Sequence, residues 1–185
     1  FQFGVAIPHP REEANSRMPT SWSDGVNSIV CIKRVPDTEA RVRIAEGETS
    51  IESDGVKYIM SPYDEFALEA ALRTKEEGGE GEVTVLTLGD DSSQETLRAA
   101  LAVGADAAIL LQGTVTVDGL ATAKALAAEL RQHDPPLVLF GVKSGDVDQQ
   151  QVGPMVATLL GRPCASSVAG FTVDGDTVVC RREAE

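Results

Sequence analysis

The chain has 185 residues, of which 42% are hydrophobic and 24% charged, which is enough for one soluble α/β domain with a sizeable core. Its net charge of −13 argues against binding to nucleic acid or anionic membranes, because both are recognised through basic patches. The apolar runs are far too short for membrane insertion as a helix, and an aromatic content of 4% disfavours a base-stacking surface.

The N-terminal segment does not have the pattern of a folded domain. It contains Pro8, Pro10 and Pro19 among scattered charges, with no sustained hydrophobic period. It also lacks the apolar core of a signal peptide, and its early glutamates disfavour a transit peptide. We therefore predict a flexible N-terminal extension over residues 1–28 and a single α/β domain over residues 29–185.

The predicted strands are short apolar runs, rich in β-branched residues and bounded by turn residues. In chain order they lie at 29–35, 82–88, 107–111, 137–140 and 165–168, followed by a hairpin of 171–173 and 177–181 around Asp174-Gly175. Two alternating segments, 41–44 and 56–60, flank a turn at Asp54-Gly55 and predict a small antiparallel excursion at the sheet edge.

Four helices are predicted between the strands, over residues 61–75, 94–103, 118–132 and 149–161. The first has a clear start, because Ser61 suits the N-cap, Pro62 suits the first helical position, and Asp64 suits the positive end of the dipole. The third helix has an apolar stripe that we expect to be buried: Leu120, Ala123, Leu126, Ala127 and Leu130. Strands that alternate with helices indicate a doubly wound, Rossmann-like α/β fold with a mostly parallel sheet.

Cysteine and histidine are sparse. Cys31, Cys164 and Cys180 are widely spaced and form no CxxC pair, which suits a reducing compartment. Cys31 and Cys164 lie in apolar runs, so we expect both to be small core residues. His9 and His133 lie in the N-terminal segment and at a helix end, so a histidine-based triad or a zinc site is disfavoured. We therefore predict neither catalytic residues nor metal ligands.

The most informative stretch is the loop that follows the strand at 137–140. Gly141 and Gly145 bracket a polar segment that leads into the fourth helix. A strand, a glycine-containing loop and a helix start together are typical of phosphate binding in α/β proteins. The loops after residues 35 and 88 are expected at the same edge of the sheet. We predict a nucleotide phosphate here, although the loop matches neither the P-loop nor the dinucleotide fingerprint, and an ordinary turn remains the alternative.

We expect specific roles for several residues of this loop. Lys143 is its only cation. Asp148 and the N–H groups near residues 149–151 are expected to contact the polar end of the nucleotide. Gly145 is expected to matter if it has a positive φ angle or approaches the ligand closely.

Several stretches together carry a family resemblance. They are VCIKRVPDT, DGVKYIMSPYDEFALEAALRTKE, EVTVLTLG, QETLRAALAVGADAAI and LVLFGVKSGDVDQQQVGPMVATLLGRP, in that order. From about residue 29 onward the chain resembles the β subunit of an electron transfer flavoprotein. That family's β subunit is longer, so the resemblance implies that the dehydrogenase-recognition loop and the C-terminal arm are absent from this sequence.

The resemblance implies an electron carrier with no substrate turnover of its own. It implies a heterodimer in which the α subunit binds the redox-active FAD, while the β subunit holds AMP and covers one side of the flavin. Electrons would come from acyl-CoA and related dehydrogenases, as in fatty acid β-oxidation, and pass to a quinone oxidoreductase, with both partners bound transiently. The implied location is the cytoplasm of a bacterium or the mitochondrial matrix of a eukaryote.

The resemblance also implies the cofactor-binding positions. Tyr63 matches an aromatic position that leans toward the flavin. The full set is Cys31, Ser61, Pro62, Tyr63, Asp64, Leu88, Gly141, Val142, Lys143, Ser144, Gly145, Asp146, Val147, Asp148, Gln149, Gln150, Gln151 and Val152.

Two alternatives stay open on the sequence. One is a bifurcating type of β subunit, which carries a second FAD in place of AMP. The other is a stand-alone adenine-nucleotide-binding module. A hydrolase on the same kind of sheet is disfavoured, because the chain has no SGGxDS loop, no Walker A motif and no catalytic histidine.

Overall fold

A computed structural model describes residues 2–6, 26–47, 51–52, 54–113, 118–174 and 177–183. Within these ranges the strands are β1 (Phe3–Ala6), β2 (Ser28–Cys31), β3 (Arg34–Pro36), β4 (Tyr58–Met60), β5 (Val83–Gly89), β6 (Ala107–Gln112), β7 (Leu137–Gly141), β8 (Cys164–Asp174) and β9 (Thr177–Arg182). The helices are α1 (Pro62–Gly78), α2 (Gln94–Val103), α3 (Gly119–His133) and α4 (Val152–Leu160). None of the helices in the described ranges has the length and apolarity needed to cross a bilayer.

The main sheet has seven strands in the order β6-β5-β2-β7-β1-β8-β9. The four strands β6, β5, β2 and β7 are parallel neighbours, with Val30 of β2 paired to Val85 of β5 and Leu139 of β7. β1 runs antiparallel to both β7 and β8, and β9 is antiparallel to β8. The predicted α/β fold with a mostly parallel sheet is confirmed.

Both faces of the sheet are covered by helices, which explains the continuous apolar run of β7. Leu137 and Leu139 pack in the cluster that contains α1 and α2, whereas Val138 and Phe140 pack in the cluster that contains α3 and α4. Since successive side chains of a strand point to opposite faces, a strand covered on both sides must be apolar at every position. In α3, Leu120 departs from the predicted buried stripe, because it is 44% exposed.

A separate two-stranded sheet forms the small antiparallel excursion. β3 pairs with β4, with Arg34 opposite Met60 and Pro36 opposite Tyr58. The predicted strand at 29–35 is therefore two strands, because the chain leaves the main sheet after Cys31 to pair with β4. Among the described residues, the predicted partner segment at 41–44 contributes only an isolated bridge, from Ile44 to Ile51.

The N-terminal segment requires a correction. Phe3–Ala6 was predicted to be part of a flexible extension, yet all four residues are buried and form β1 in the interior of the sheet. Val26 is also buried, and Ser28 begins β2. The physical reason is that a four-residue apolar run gains its stability from strands far along the chain, which local pattern does not reveal. The rest of the predicted extension, residues 7–25, lies outside the described residues.

Two further differences are local. Cys31 is buried as predicted, whereas Cys164, at the start of β8, is exposed rather than part of the core. α4 begins at Val152 instead of near Gln149, so residues 142–151 form a longer connection than expected. The longer connection matters because it forms one wall of the candidate site.

Candidate functional site

A cavity of about 200 Å³ lies at the carboxyl ends of β2, β5 and β7. Cys31, Leu88 and Gly141 line it from these three strands, and Gly119 lines it from the start of α3. The carboxyl edge of a parallel sheet is where α/β proteins bind ligands, because loops and helix N-termini converge there. The sequence-predicted loops therefore meet around one cavity.

Most of the predicted cofactor-binding residues line this cavity. Those that do are Cys31, Asp64, Leu88, Gly141, Val142, Lys143, Ser144, Asp146, Val147, Gln149, Gln150, Gln151 and Val152. Those that do not are Ser61, Pro62, Tyr63, Gly145 and Asp148. The lining residues that the sequence did not indicate are Ile32, Lys33, Gly119, Thr122, Leu126, Phe140 and Gly153. Gly119 stands at the predicted start of the third helix, which was the signal that could have indicated it, whereas Lys33 lies within the predicted strand at 29–35.

Asp64 joins three elements of the site through its buried carboxylate. It lies in the first turn of α1, where Pro62 occupies the first helical position as predicted. Its Oδ2 accepts a hydrogen bond from the N–H of Lys33 at 2.7 Å, and its Oδ1 accepts one from the N–H of Gly141 at 3.1 Å. Burial raises the pKa of Asp64 to about 7, against the opposing effect of these two donors. The carboxylate therefore fixes the ends of β2 and β7 to the start of α1.

The start of α1 is tightly packed around this contact. Ser61 is fully buried as the N-cap residue, but its side chain makes no capping bond. Within the described residues, the Ser61 hydroxyl is buried with no hydrogen-bond partner. Its backbone N–H instead donates to the carbonyl of Lys33 at 2.9 Å. Ser61 therefore fixes the main chain of Lys33, which lines the cavity, without lining the cavity itself.

Gly141, rather than Gly145, is the glycine that the geometry requires. A Cβ atom at Gly141 would lie 2.3 Å from Oδ1 of Asp64 and 2.8 Å from the carbonyl carbon of Tyr63. Gly145 is not among the glycines with positive φ, and a Cβ there would meet only Cδ of Pro62 at 3.8 Å. Gly145 therefore lacks the positive φ, and the close contact within the chain is made at the strand end by Gly141; a close approach of Gly145 to a ligand stays a prediction.

Two lysine–aspartate pairs hold the loop over residues 142–151. Nζ of Lys143 lies 2.7 Å from Oδ1 of Asp148. Lys33, outside the loop, lies 2.7 and 2.8 Å from the two carboxylate oxygens of Asp146. Although partial burial opposes it, the Lys33 ammonium lowers the pKa of Asp146, so this carboxylate is ionised at neutral pH. Lys143 is the only cation of the loop itself, but the site has a second one from the β2–β3 connection.

The end of the loop has an unusual backbone. Asp148 and Gln150 have φ angles of 54° and 56°, and positive values are uncommon for residues other than glycine. Aspartate adopts them more readily than most residues do, so Gln150 is the more unusual of the two. Gln151 is the N-cap of α4 and makes no side-chain capping bond. The first-turn N–H groups of a helix have no partner within the helix, so the start of α4, which lines the cavity, is suited to an external acceptor.

Gly119 allows α3 and this loop to meet. A Cβ atom there would lie 2.7 Å from Oε1 of Gln149 and 3.2 Å from Nε2 of Gln151. The two glutamine side chains are themselves joined, since Nε2 of Gln151 donates to Oε1 of Gln149 at 3.2 Å. The helix start is fixed by Asp118, whose carboxylate accepts from the N–H groups of Leu120 and Ala121. The cavity thus lies between the N-termini of α3 and α4.

The wall and floor of the cavity include apolar side chains. Leu88, Leu126 and Phe140 line it from the sheet and from α3. Cys31 adds a small side chain, and burial raises the pKa of its thiol far above its ordinary value, so the thiol is neutral and unreactive. An apolar surface beside a polar loop and helix starts can hold a planar base at one end and an anionic group at the other.

Tyr63 lies on the opposite side of the loop from this cavity. With Phe66 it lines a second, more open cavity of about 480 Å³. Nζ of Lys143 lies 5.2 Å from the centre of the Tyr63 ring. Val142, Lys143 and Gln150 line both cavities, so one stretch of loop separates the predicted nucleotide site from the predicted flavin-facing residue.

Comparison with known proteins agrees with the resemblance of the sequence motifs. A family model described as the electron transfer flavoprotein domain matches residues 49–185. The electron transfer flavoprotein subunit β of Syntrophomonas wolfei is 36% identical over 157 residues, which are 85% of this chain and 62% of the relative. The mitochondrial subunit β of Arabidopsis thaliana is 36% identical over the same length, with the same coverage of both chains.

Protein FixA of Bradyrhizobium diazoefficiens is also similar, with 41% identity over 170 residues, or 86% of this chain and 58% of FixA. The chain thus spans about three fifths of the length of these relatives. The family model covers most of the chain, and the relatives are at least 36% identical to it over 85% or more of its length. The chain therefore belongs to the electron transfer flavoprotein family, within which it is similar to β subunits.

Proposed function

We propose that this chain is the nucleotide-binding part of an electron transfer flavoprotein β subunit. It carries no substrate chemistry of its own, binds AMP in the cavity at the ends of β2, β5 and β7, and pairs with an α subunit that binds FAD. The observation that carries the proposal is this cavity, in which an apolar floor, a polar loop and two helix N-termini converge.

The size of the cavity favours AMP over a second FAD. Its volume of about 200 Å³ lies below the range of roughly 300–1,000 Å³ that is usual for sites of drug-sized ligands. A mononucleotide fits such a site better than a dinucleotide does, unless the dinucleotide extends past the loop. The bifurcating type of β subunit, with FAD in place of AMP, is therefore the second candidate, and nucleotide extraction distinguishes the two.

The electron-transfer partners are proposed from the family, and the cavity that Tyr63 lines supports a place for the flavin. An aromatic ring beside a cavity on the outer side of the loop is a suitable surface for the edge of an isoalloxazine ring held by the α subunit. Acyl-CoA and related dehydrogenases would supply the electrons and a quinone oxidoreductase would accept them. The setting would be the bacterial cytoplasm or the mitochondrial matrix; the Arabidopsis thaliana relative is named as mitochondrial.

Coexpression with an electron transfer flavoprotein α subunit tests the proposal. We expect a yellow heterodimer that releases one AMP and one FAD per pair of chains after denaturation, as measured by chromatography against standards. Two FAD and no AMP would establish the second candidate. A colourless chain that binds adenine nucleotide without any α subunit would instead indicate a stand-alone binding module.

A further inference from the structure

The charged side chains that line the main cavity, within the described residues, are two lysines and two aspartates: Lys33, Lys143, Asp64 and Asp146. Asp64 is occupied by two backbone N–H groups. Besides the N–H groups at the two helix starts, these lysines are therefore the groups that can offset the charge of an anionic ligand, since either aspartate alone would repel it.

The two lysines differ in where their charge is held. Lys143 pairs with Asp148, which does not line the cavity, and its Nζ also lies beside the ring of Tyr63. Its charge is thus directed toward the second cavity. Lys33 pairs with both oxygens of Asp146, which does line the main cavity, so its charge stays on the cavity wall.

Lys33 is also the better positioned of the two. Its backbone N–H donates to Asp64 and its carbonyl accepts from the N–H of Ser61, so the main chain is fixed at both groups. An ammonium group has three N–H donors, and Asp146 accepts two of them. The third is left for an acceptor in the cavity, while Asp146 holds the ammonium in place.

We propose that Lys33 is the cation that recognises the phosphate group of the nucleotide, and that it makes the site selective for a nucleoside monophosphate over the uncharged nucleoside. This inference rests on the proposed function, since it assigns a role within the same site. It differs from the expectation drawn from the sequence alone, in which Lys143 was the available cation.

The test compares AMP with adenosine on the full 185-residue chain by isothermal titration calorimetry. Lys33→Met should weaken AMP binding about tenfold or more, which is the usual loss for a hydrogen bond to a charged group, and should leave adenosine binding unchanged. Lys75→Met is the matched control, because it removes a lysine that also pairs with an aspartate, Asp106, is as exposed as Lys33 (31% against 32%), and lines neither cavity. It should change the preference for AMP over adenosine by less than about threefold.

Loss of Lys33 also leaves Asp146 unpaired, so a second variant separates the two effects. Lys33→Met combined with Asp146→Asn removes the whole ion pair, and the preference for AMP should remain lost. Recovery of the wild-type preference in this variant would overturn the proposal, because the loss would then be due to repulsion by Asp146. An equal fall in AMP and adenosine binding in Lys33→Met would also overturn it. If wild type binds neither ligand, the proposed function fails as well.

Discussion

At the residue scale, Asp64 shows what a local pattern can and cannot predict. The sequence indicated an acidic residue in the first turn of a helix, and the family resemblance placed it in the cofactor site. Neither indicated that its carboxylate is buried and bridges the β2–β3 connection and the end of β7, because its partners Lys33 and Gly141 are 31 and 77 positions away. Gly141 was likewise selected for its place in a loop, whereas its physical role is to leave room for that carboxylate.

The buried carboxylate predicts a particular pH dependence of stability. The pKa of Asp64 is raised to about 7 by burial, from an ordinary value of 3.8, so the native chain binds more protons than the unfolded chain between these values. The contribution of Asp64 to the free energy of unfolding is therefore full below pH 3.8 and is lost as the pH rises through 7. We expect it to fall by roughly 2–3 kcal/mol between pH 5 and pH 8.

Urea unfolding of wild type and of Asp64→Asn at several pH values between 5 and 8 measures the contribution of Asp64 to the free energy of unfolding. The asparagine cannot titrate, so the stability difference between the two proteins should change across this range in the stated direction. Aspartates whose pKa is lowered, such as Asp106, act below pH 3.8 and cancel in the comparison. Parallel stability curves would show that Asp64 is ionised throughout and that the two N–H donors outweigh its burial.

At the element scale, the sequence predicted the elements that carry their own signal. α2 has the predicted bounds, and the apolar runs that became β5, β6 and β7 are displaced by at most one residue at either end. The elements that it misplaced depend on distant partners. β1 has only four residues, and β3 is separated from β2 because it pairs with β4. Pairing partners and strand order are properties of the whole sheet, which hydrophobic period does not encode.

The position of β1 predicts that the N-terminal segment stabilises the sheet. Val5 is fully buried between β7 and β8, so Val5→Asp places an unpaired charge in the interior. We expect the free energy of unfolding to fall by roughly 3–5 kcal/mol, as is usual for an uncompensated buried charge. The control is Val179→Asp on β9, where the side chain is 55% exposed and little change is expected. Equal stability of the two variants in urea would mean that β1 adds nothing to the fold.

At the scale of the whole molecule, the site is formed by convergence rather than by a motif. The rule that ligands bind at the carboxyl ends of parallel strands identified the edge of the sheet, and most of the predicted residues do line one cavity. What the rule did not provide was the side of the loop on which each residue lies. Tyr63 and Asp148 fall outside the main cavity, because the loop has two faces and the helix start presents residues to both.

This separation leads to a prediction for the assembled heterodimer. Tyr63 lies in the first turn of α1, directly after Pro62, so its backbone is constrained, and its ring lines the second cavity beside the Lys143 ammonium. If that cavity faces the flavin of an α subunit, the ring excludes water and affects the flavin potential through the local dielectric. Tyr63→Ala should then leave AMP content unchanged and alter the flavin absorbance or the semiquinone yield.

A redox titration of heterodimers made with the same α subunit tests the role of the Tyr63 ring. Tyr63→Phe is the matched control, because it keeps the ring and removes only the hydroxyl, and it should resemble wild type more closely than Tyr63→Ala does. AMP content, measured on the same samples, reports on the main cavity across the loop from Tyr63. Spectra and midpoints of Tyr63→Ala that superimpose on those of wild type would remove Tyr63 from the flavin site. A loss of AMP in the same variant would show instead that the ring holds the shared loop, and that the two cavities are not independent.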